Sequence, residues 1–182
     1  MPHITLPDSV PGIRSLVIYR PETGKYLYEL VQILLRGESS LHAADRELIA
    51  AYVSYLNNCD FCYQSHAAAA RCLYEEQQHL VDEVLKDLGS APVSPKLKAL
   101  LAIAGKVQKL GKEVKPEDIE KARTAGAGDR DIHDTVLIAA TFCMFNRYVD
   151  GLATTTPEQL SDYIAMGERM SNIGYVLPNQ TT

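Results

Sequence analysis

The stretch DRELIAAYVSYLNNCDFCYQSH, residues 45–66, decides how the chain is read. Its first half has helical spacing, Asn57-Asn58 interrupt it, and a second helical run opens at the cysteines. The stretch is therefore a helical hairpin with its chemistry at the bend. Cys59 and Cys62 form C-x-x-C, and His66 follows four residues after the second Cys. On a helix those three side chains share one face. Cys59 falls at or just before the helix start and Cys62 in its first turn, where unpaired N–H groups and the helix dipole favour a thiolate.

Three chemistries compete for this cluster. Covalent haem attachment needs His directly after the second Cys, and that position is Tyr63. Zinc could draw on Cys59, Cys62 and His66, with Cys72 or His79 as a fourth ligand. Cys72, however, lies about 15 Å further along the helix and cannot join the same tetrahedron unless the helix breaks. A redox dithiol fits the spacing better. His66 can take a thiol proton, and Glu47 on the preceding helix is the natural orienter of the imidazole. The plain alternative is that these are buried small residues, as a lone cysteine usually is. That plain reading is the one given to Cys72 and Cys143. His42, His79 and His133 read as solvated or capping residues.

Outward from the hairpin the pattern stays helical. KYLYELVQILLRG, residues 25–37, carries apolar residues at 27, 30, 31, 34 and 35 and stops at Gly37. Helices are also predicted over 75–89, from Ser94-Pro95, from Lys115-Pro116 to Gly126, and through the long apolar run after Asp129. A capping box at Thr156–Gln159 predicts one more, ending near Asn172. Nothing alternates like a strand pair. The fold class is all-α, a compact bundle of about seven to eight helices. The organisation expected is an extended arm over 1–22, rich in proline, a single helical domain over 23–175, and a polar tail over 176–182. An 84-residue shift lays Asp45, Arg46, Cys59 and Phe61 over Asp129, Arg130, Cys143 and Phe145. If that echo is a repeat, two similar hairpins pack about a pseudo-axis, and only the first keeps the dithiol.

Composition narrows the function. At 182 residues the chain can bury a core without staples. A net charge of −5 argues against a nucleic-acid surface, which needs clustered Lys and Arg. No window offers about 18 uninterrupted apolar residues, so no membrane span is expected. The N-terminus lacks a signal-peptide pattern, and a cytoplasmic protein is expected. In a reducing compartment C-x-x-C points to catalysis or metal rather than a structural bridge.

With Glu47 twelve residues before Cys59, and Arg46-Glu47 followed by C-x-x-C-x-x-x-H, the segment resembles the alkylhydroperoxidase D-like group. This is the peroxidase-related branch of the carboxymuconolactone decarboxylase superfamily. The resemblance implies an AhpD-like all-helical domain that assembles as a trimer or hexamer. It also implies hydroperoxide reduction by a cysteine pair, recharged by an external dithiol that is a protein or a small molecule. Cys62 would be the peroxidatic thiolate and Cys59 the resolving one, with His66 and Glu47 as proton relay. No cofactor and no metal are called for. One position departs from the family pattern: Phe61 stands where well-studied members place a second histidine. A general thiol-disulfide oxidoreductase, a lyase on the same fold and a non-enzymatic redox sensor are the competing functions.

Overall fold

The computed structural model describes residues 1–7 and 10–177. Nine α-helices make up the described residues, with no strands: α1 (Ile13–Tyr19), α2 (Pro21–Arg36), α3 (Ala43–Leu56), α4 (Asp60–Tyr74), α5 (His79–Lys86), α6 (Pro95–Lys109), α7 (Pro116–Thr124), α8 (Asp129–Gly151) and α9 (Leu160–Ile173). Two short 3₁₀ turns, Glu75–Gln77 and Gly111–Glu113, join neighbours. The all-α expectation holds, with one helix more than the sequence suggested.

That extra helix is α1, inside the segment expected to be extended. The prolines mislead because they flank it rather than interrupt it. Pro2, Pro7 and Pro11 precede its first turn, and Pro21 is the first residue of α2, where a missing N–H costs nothing. Gly12 begins the turn with φ 58, and the Ser15 hydroxyl donates to the Gly12 carbonyl at 2.7 Å. Leu16 and Val17 are then buried against the bundle. The arm before α1 crosses the end of α8, where the His3 amide donates to the Leu152 carbonyl at 3.0 Å. Of the tail expected over 176–182, residues 178–182 lie outside the described residues.

The centre of the bundle is α3. Leu48, Ile49, Ala50, Ala51 and Val53 have no exposed surface and pack among α4, α6 and α8. Small residues on α4, Ala67 to Ala70, let it lie close to both α3 and α9. The bend between α3 and α4 is where the sequence puts it. Asn58 takes the left-handed conformation (φ 57), which Asn tolerates better than most residues, and Cys59 is the N-cap of α4. Ser94 caps α6 as expected, its hydroxyl accepting from the Leu97 amide at 3.2 Å. The 84-residue echo, by contrast, lays this broken pair over α8, which runs unbroken from Asp129 to Gly151. The counterparts of Asn57 and Asn58 are Thr141 and Phe142, buried mid-helix residues with no tendency to turn, so there is no second hairpin.

Helix α9 starts three residues later than the capping box suggested, with Gln159 at its N-cap. The Thr155 carbonyl accepts from the Gly12 amide at 3.0 Å, which ties the preceding segment to the arm. Once begun, α9 seats on α4 through Gly167, where a Cβ would stand 2.7 Å from the Ala68 carbonyl carbon. Gly167→Val is expected to destabilise the fold by about 1–3 kcal/mol through overpacking. That lowers Tm by roughly 2–12 °C for a domain of this size. An unchanged melting curve would mean that α9 does not sit on α4 in solution.

Candidate functional site

Helix α3 supplies Glu47 and helix α4 supplies Cys59, Cys62 and His66, so the bend brings all four predicted residues to one place. The carboxylate of Glu47 has no solvent exposure. Isolated burial of a carboxylate costs several kcal/mol, and the group persists charged only when its oxygens are taken up by cations and donors. They are. The Nδ1 of His66 lies 2.6 Å from Oε2, Nη2 of Arg36 lies 2.6 Å from Oε1, and the Tyr175 hydroxyl donates to Oε1 at 2.5 Å. Burial pushes the Glu47 carboxyl up, but His66, Arg36 and Tyr175 together outweigh it and hold the carboxyl below the ordinary glutamate range. Tyr175 moves the other way, raised by burial and by the Glu47 charge, and stays a donor.

Arg36 and Tyr175 escape a sequence reading. Arg36 is the last residue of α2 and reads as a cation placed for the helix dipole. Tyr175 follows Gly174 at the last position of the expected domain, beyond the last predicted helix. The signals that exist are slight: an arginine immediately before the stop glycine of α2, and an aromatic residue beyond the last helix. Neither side chain is loose. The guanidinium of Arg36 also donates to the carbonyls of Leu35 (2.8 Å) and Met170 (3.0 Å) and sits 5.3 Å from the centre of the Tyr175 ring. Arg46, beside Glu47, has a structural task. Its Nη1 donates to the carbonyls of Leu34 and Gly37, both at 2.9 Å, closing the end of α2 that presents Arg36.

His66 is fixed on every side. Its Nδ1 is taken by Glu47, with the Tyr175 hydroxyl 3.2 Å away. Its ring stands edge-on to Phe142 at 4.5 Å between centroids and lies parallel to the Tyr175 ring at 6.0 Å. Nε2 is the nitrogen left to exchange a proton. Cys62 is one helical turn before it, and both residues line the same cavity.

The two cysteines are free thiols, and both are buried. The Cys59 thiol is raised well above the ordinary cysteine value, first by its hydrogen bond with Cys62 and then by burial. That shift favours the protonated form of Cys59. The cavity in front of Cys62 encloses about 50 Å³. Its walls are mostly apolar, with Ile13, Phe61, Phe142 and Met166 among them. A single water needs about 10–15 Å³ by the same measure, so only a few non-hydrogen atoms fit. Phe61, in the position of the expected second histidine, is packed under the N-terminal arm. A Cβ on Gly12 would come within 2.1 Å of its ring. Phe61 offers no group that could move a proton, and its ring lines the cavity beside Cys62.

The remaining cysteines lie elsewhere. Cys72 borders a separate surface groove, and Cys143 is near Asn57, whose side-chain amide is 3.6 Å from its sulfur. His42 and His79 line another groove, and His133 pairs with Asp134. Among the described residues, no three His, Cys, Asp or Glu side chains are grouped to hold a metal ion.

Residues 21–106 match the carboxymuconolactone decarboxylase family. That segment contains α2 to α4 and so every sequence-predicted site residue. Similar solved structures include an alkylhydroperoxidase AhpD core, an uncharacterized peroxidase-related protein from Ralstonia eutropha JMP134 (TM-score 0.77, 27% identity, 87% of this chain and 81% of that one). An uncharacterized peroxidase-related protein from Silicibacter sp. TM1040 is alike to the same degree (TM-score 0.77, 28% identity, 87% and 81%). A protein from Agrobacterium tumefaciens, described as a putative antioxidant defence protein AhpD, shares the fold at 20% identity (TM-score 0.69, 87% and 100%). No curated protein matches.

The ion cluster at Glu47 makes a pH signature. A depressed carboxyl contributes stability above its unfolded value, near 4.5, and loses it as pH falls toward the folded value. Glu47→Gln leaves Arg36 buried without its charge partner and is expected to cost about 3–5 kcal/mol at pH 7. The gap between wild type and variant, measured by urea unfolding, should shrink as pH drops below about 4.5. A gap that stays constant from pH 7 to pH 3 contradicts the charged assignment of Glu47.

Proposed function

We propose, from the match of residues 21–106 to the carboxymuconolactone decarboxylase family, the likeness to peroxidase-related structures and the site geometry, that the chain is a thiol peroxidase of the AhpD-like branch. The supporting observation is the unbroken line from Glu47 through His66 to the cavity that holds Cys62. Cys62, as thiolate, attacks the distal oxygen of a hydroperoxide. The O–O bond breaks, and the alkoxide leaves with a proton supplied from His66 Nε2, giving alcohol or water. Cys62 is left as a sulfenic acid. Glu47 holds His66 by Nδ1 and stabilises its charged form between the two proton transfers.

Cys59 then attacks the sulfenic sulfur. Its thiol proton and the sulfenic hydroxyl leave as water, and a Cys59–Cys62 disulfide forms. An external dithiol, protein or small molecule, restores the pair by exchange, its own two thiols becoming a disulfide. The raised Cys59 thiol suits the resolving role, because it keeps one sulfur protonated until the other has been oxidised. The small apolar cavity favours a peroxide over a protein disulfide as the oxidising substrate.

Assembly into a trimer or hexamer belongs to the same proposal. It is supported by apolar side chains left exposed on α1 and α2 (Tyr19, Tyr26, Ile33) and on α9 (Leu160, Ile164, Ile173). The location proposed is the cytoplasm, where thiols stay reduced. No helix among the described residues is long and apolar enough to cross a membrane.

Two variants test the reaction. Cys62→Ser should abolish peroxide consumption with excess dithiol. Cys59→Ser should stop turnover but yield one sulfenate per chain, trapped by a dimedone probe at Cys62. Wild-type turnover in both variants sinks the mechanism.

A further inference from the structure

The cavity that holds Cys62 is also lined by two arginines, Arg14 from α1 and Arg169 from α9. Most of the buried or half-buried arginines of the chain are accounted for. Arg36 pairs with Glu47, Arg46 closes α2, and Arg71 pairs with Asp82. Among the described residues Arg14 and Arg169 make no ion pair and no side-chain hydrogen bond, and Nε of Arg169 is buried without a partner. Tyr28, itself buried, shares the cavity wall with them. Two arginines lining one apolar cavity, with no carboxylate paired to them among the described residues, suit the binding of an anion.

A second hollow adjoins this cavity. A surface groove of about 440 Å³ runs past Pro11, Thr156 and Pro157, and Arg14 and Met166 belong to its wall as well as to the cavity's. Those two side chains are the partition between groove and thiol. Asp162 is the acid lining the groove, and it makes no ion pair with Arg14. The cavity alone takes a few atoms. A compact organic molecule whose reactive end meets Cys62 would need Arg14 or Met166 to shift, so that it could occupy both spaces.

Building on the peroxidase reading, we propose that the preferred substrate is an organic hydroperoxide bearing a carboxylate, held by Arg14 and Arg169 while its O–O group meets Cys62. Arg169 is lowered from the ordinary arginine value, first by burial and then by the charge of Arg14. A bound carboxylate offsets both costs. The apolar walls accept the carbon skeleton, and bidentate contact with a guanidinium fixes its direction.

The test uses cumene hydroperoxide carrying a para-carboxylate, and its methyl ester, with the full chain and excess dithiol. In wild type, kcat/KM for the acid should exceed that for the ester by about tenfold or more, the value of one charge-assisted contact. In Arg14→Gln/Arg169→Gln the ratio should fall to near one. Equal kcat/KM for acid and ester in wild type overturns the proposal. So does an equal loss on both substrates in the variant, since the arginines would then serve the thiolate or the leaving oxygen.

If neither peroxide is consumed, the peroxidase reading fails, and the anion site is decided separately. The probe is then 4-isopropylbenzoate, which has no peroxide group, and the readout is protection of Cys62 from iodoacetamide. Protection in wild type that is lost in the double variant upholds the site. No protection in wild type, or protection of the same strength by the methyl ester, overturns it.

Discussion

A fully buried carboxylate organises this protein. Glu47 is fixed by three partners that come from three separate parts of the chain: Arg36 at the end of α2, His66 within α4, and Tyr175 beyond α9. The desolvation of a lone carboxylate is too costly to leave unmatched, so those segments must converge for the charge to persist. Folding and site assembly are therefore one requirement. The bundle cannot form around a charged Glu47 without also placing His66 with Nδ1 occupied and Nε2 free of that contact. Residues far from the thiols contribute to the same end. Arg46 closes the helix that carries Arg36, and Gly167 lets α9 approach α4 closely enough for Tyr175 to reach the carboxylate.

The second constraint is dryness. The thiols lie beneath Phe61, which packs on Gly12, and beneath the arm that Gly12 anchors to Thr155. A polar side chain at position 61 would need partners of its own in that apolar layer. Phenylalanine instead packs against the arm, and in the proposed reaction the proton chemistry falls to the line from Glu47 to His66. In such an enclosed space electrostatic contacts count for more than they do in water. Arg14 and Arg169 bring positive charge to the same lining, and Arg14 also borders the outer groove, which is the basis of the anion site proposed above.

Much of the site was legible because its signals are local. Asn57-Asn58 break the helix for reasons of backbone preference, and C-x-x-C-x-x-x-H places three side chains on one face by helical period alone. Glu47 needed only the hairpin. Arg36 and Tyr175 needed tertiary structure, since each joins the site through a contact more than ten residues away in sequence, and neither has a local pattern that separates it from a helix-end cation or a tail aromatic. Helix α1 was hidden by its prolines, which bound it instead of breaking it. The expected start of α9 failed for a similar reason: Thr155 is tied to the arm, a partner the capping pattern at Thr156–Gln159 cannot reveal. The 84-residue echo paired like residues but unlike backbones, because helix breaking by Asn57-Asn58 has no counterpart at Thr141-Phe142.

The central claim is that Glu47, acting through His66, drives the oxidation of Cys62. The measurement that meets it most directly is the stopped-flow rate of Cys62 oxidation by peroxide in Cys59→Ser protein, with Glu47 intact and with Glu47→Gln. Confining the reaction to one sulfur removes the resolving step and the reductant from the rate. A positioned acid–base group contributes about 10²–10⁴ in rate, so losing its orientation should slow the step by at least about a hundredfold. An unchanged rate in a variant that still folds at neutral pH would contradict the account.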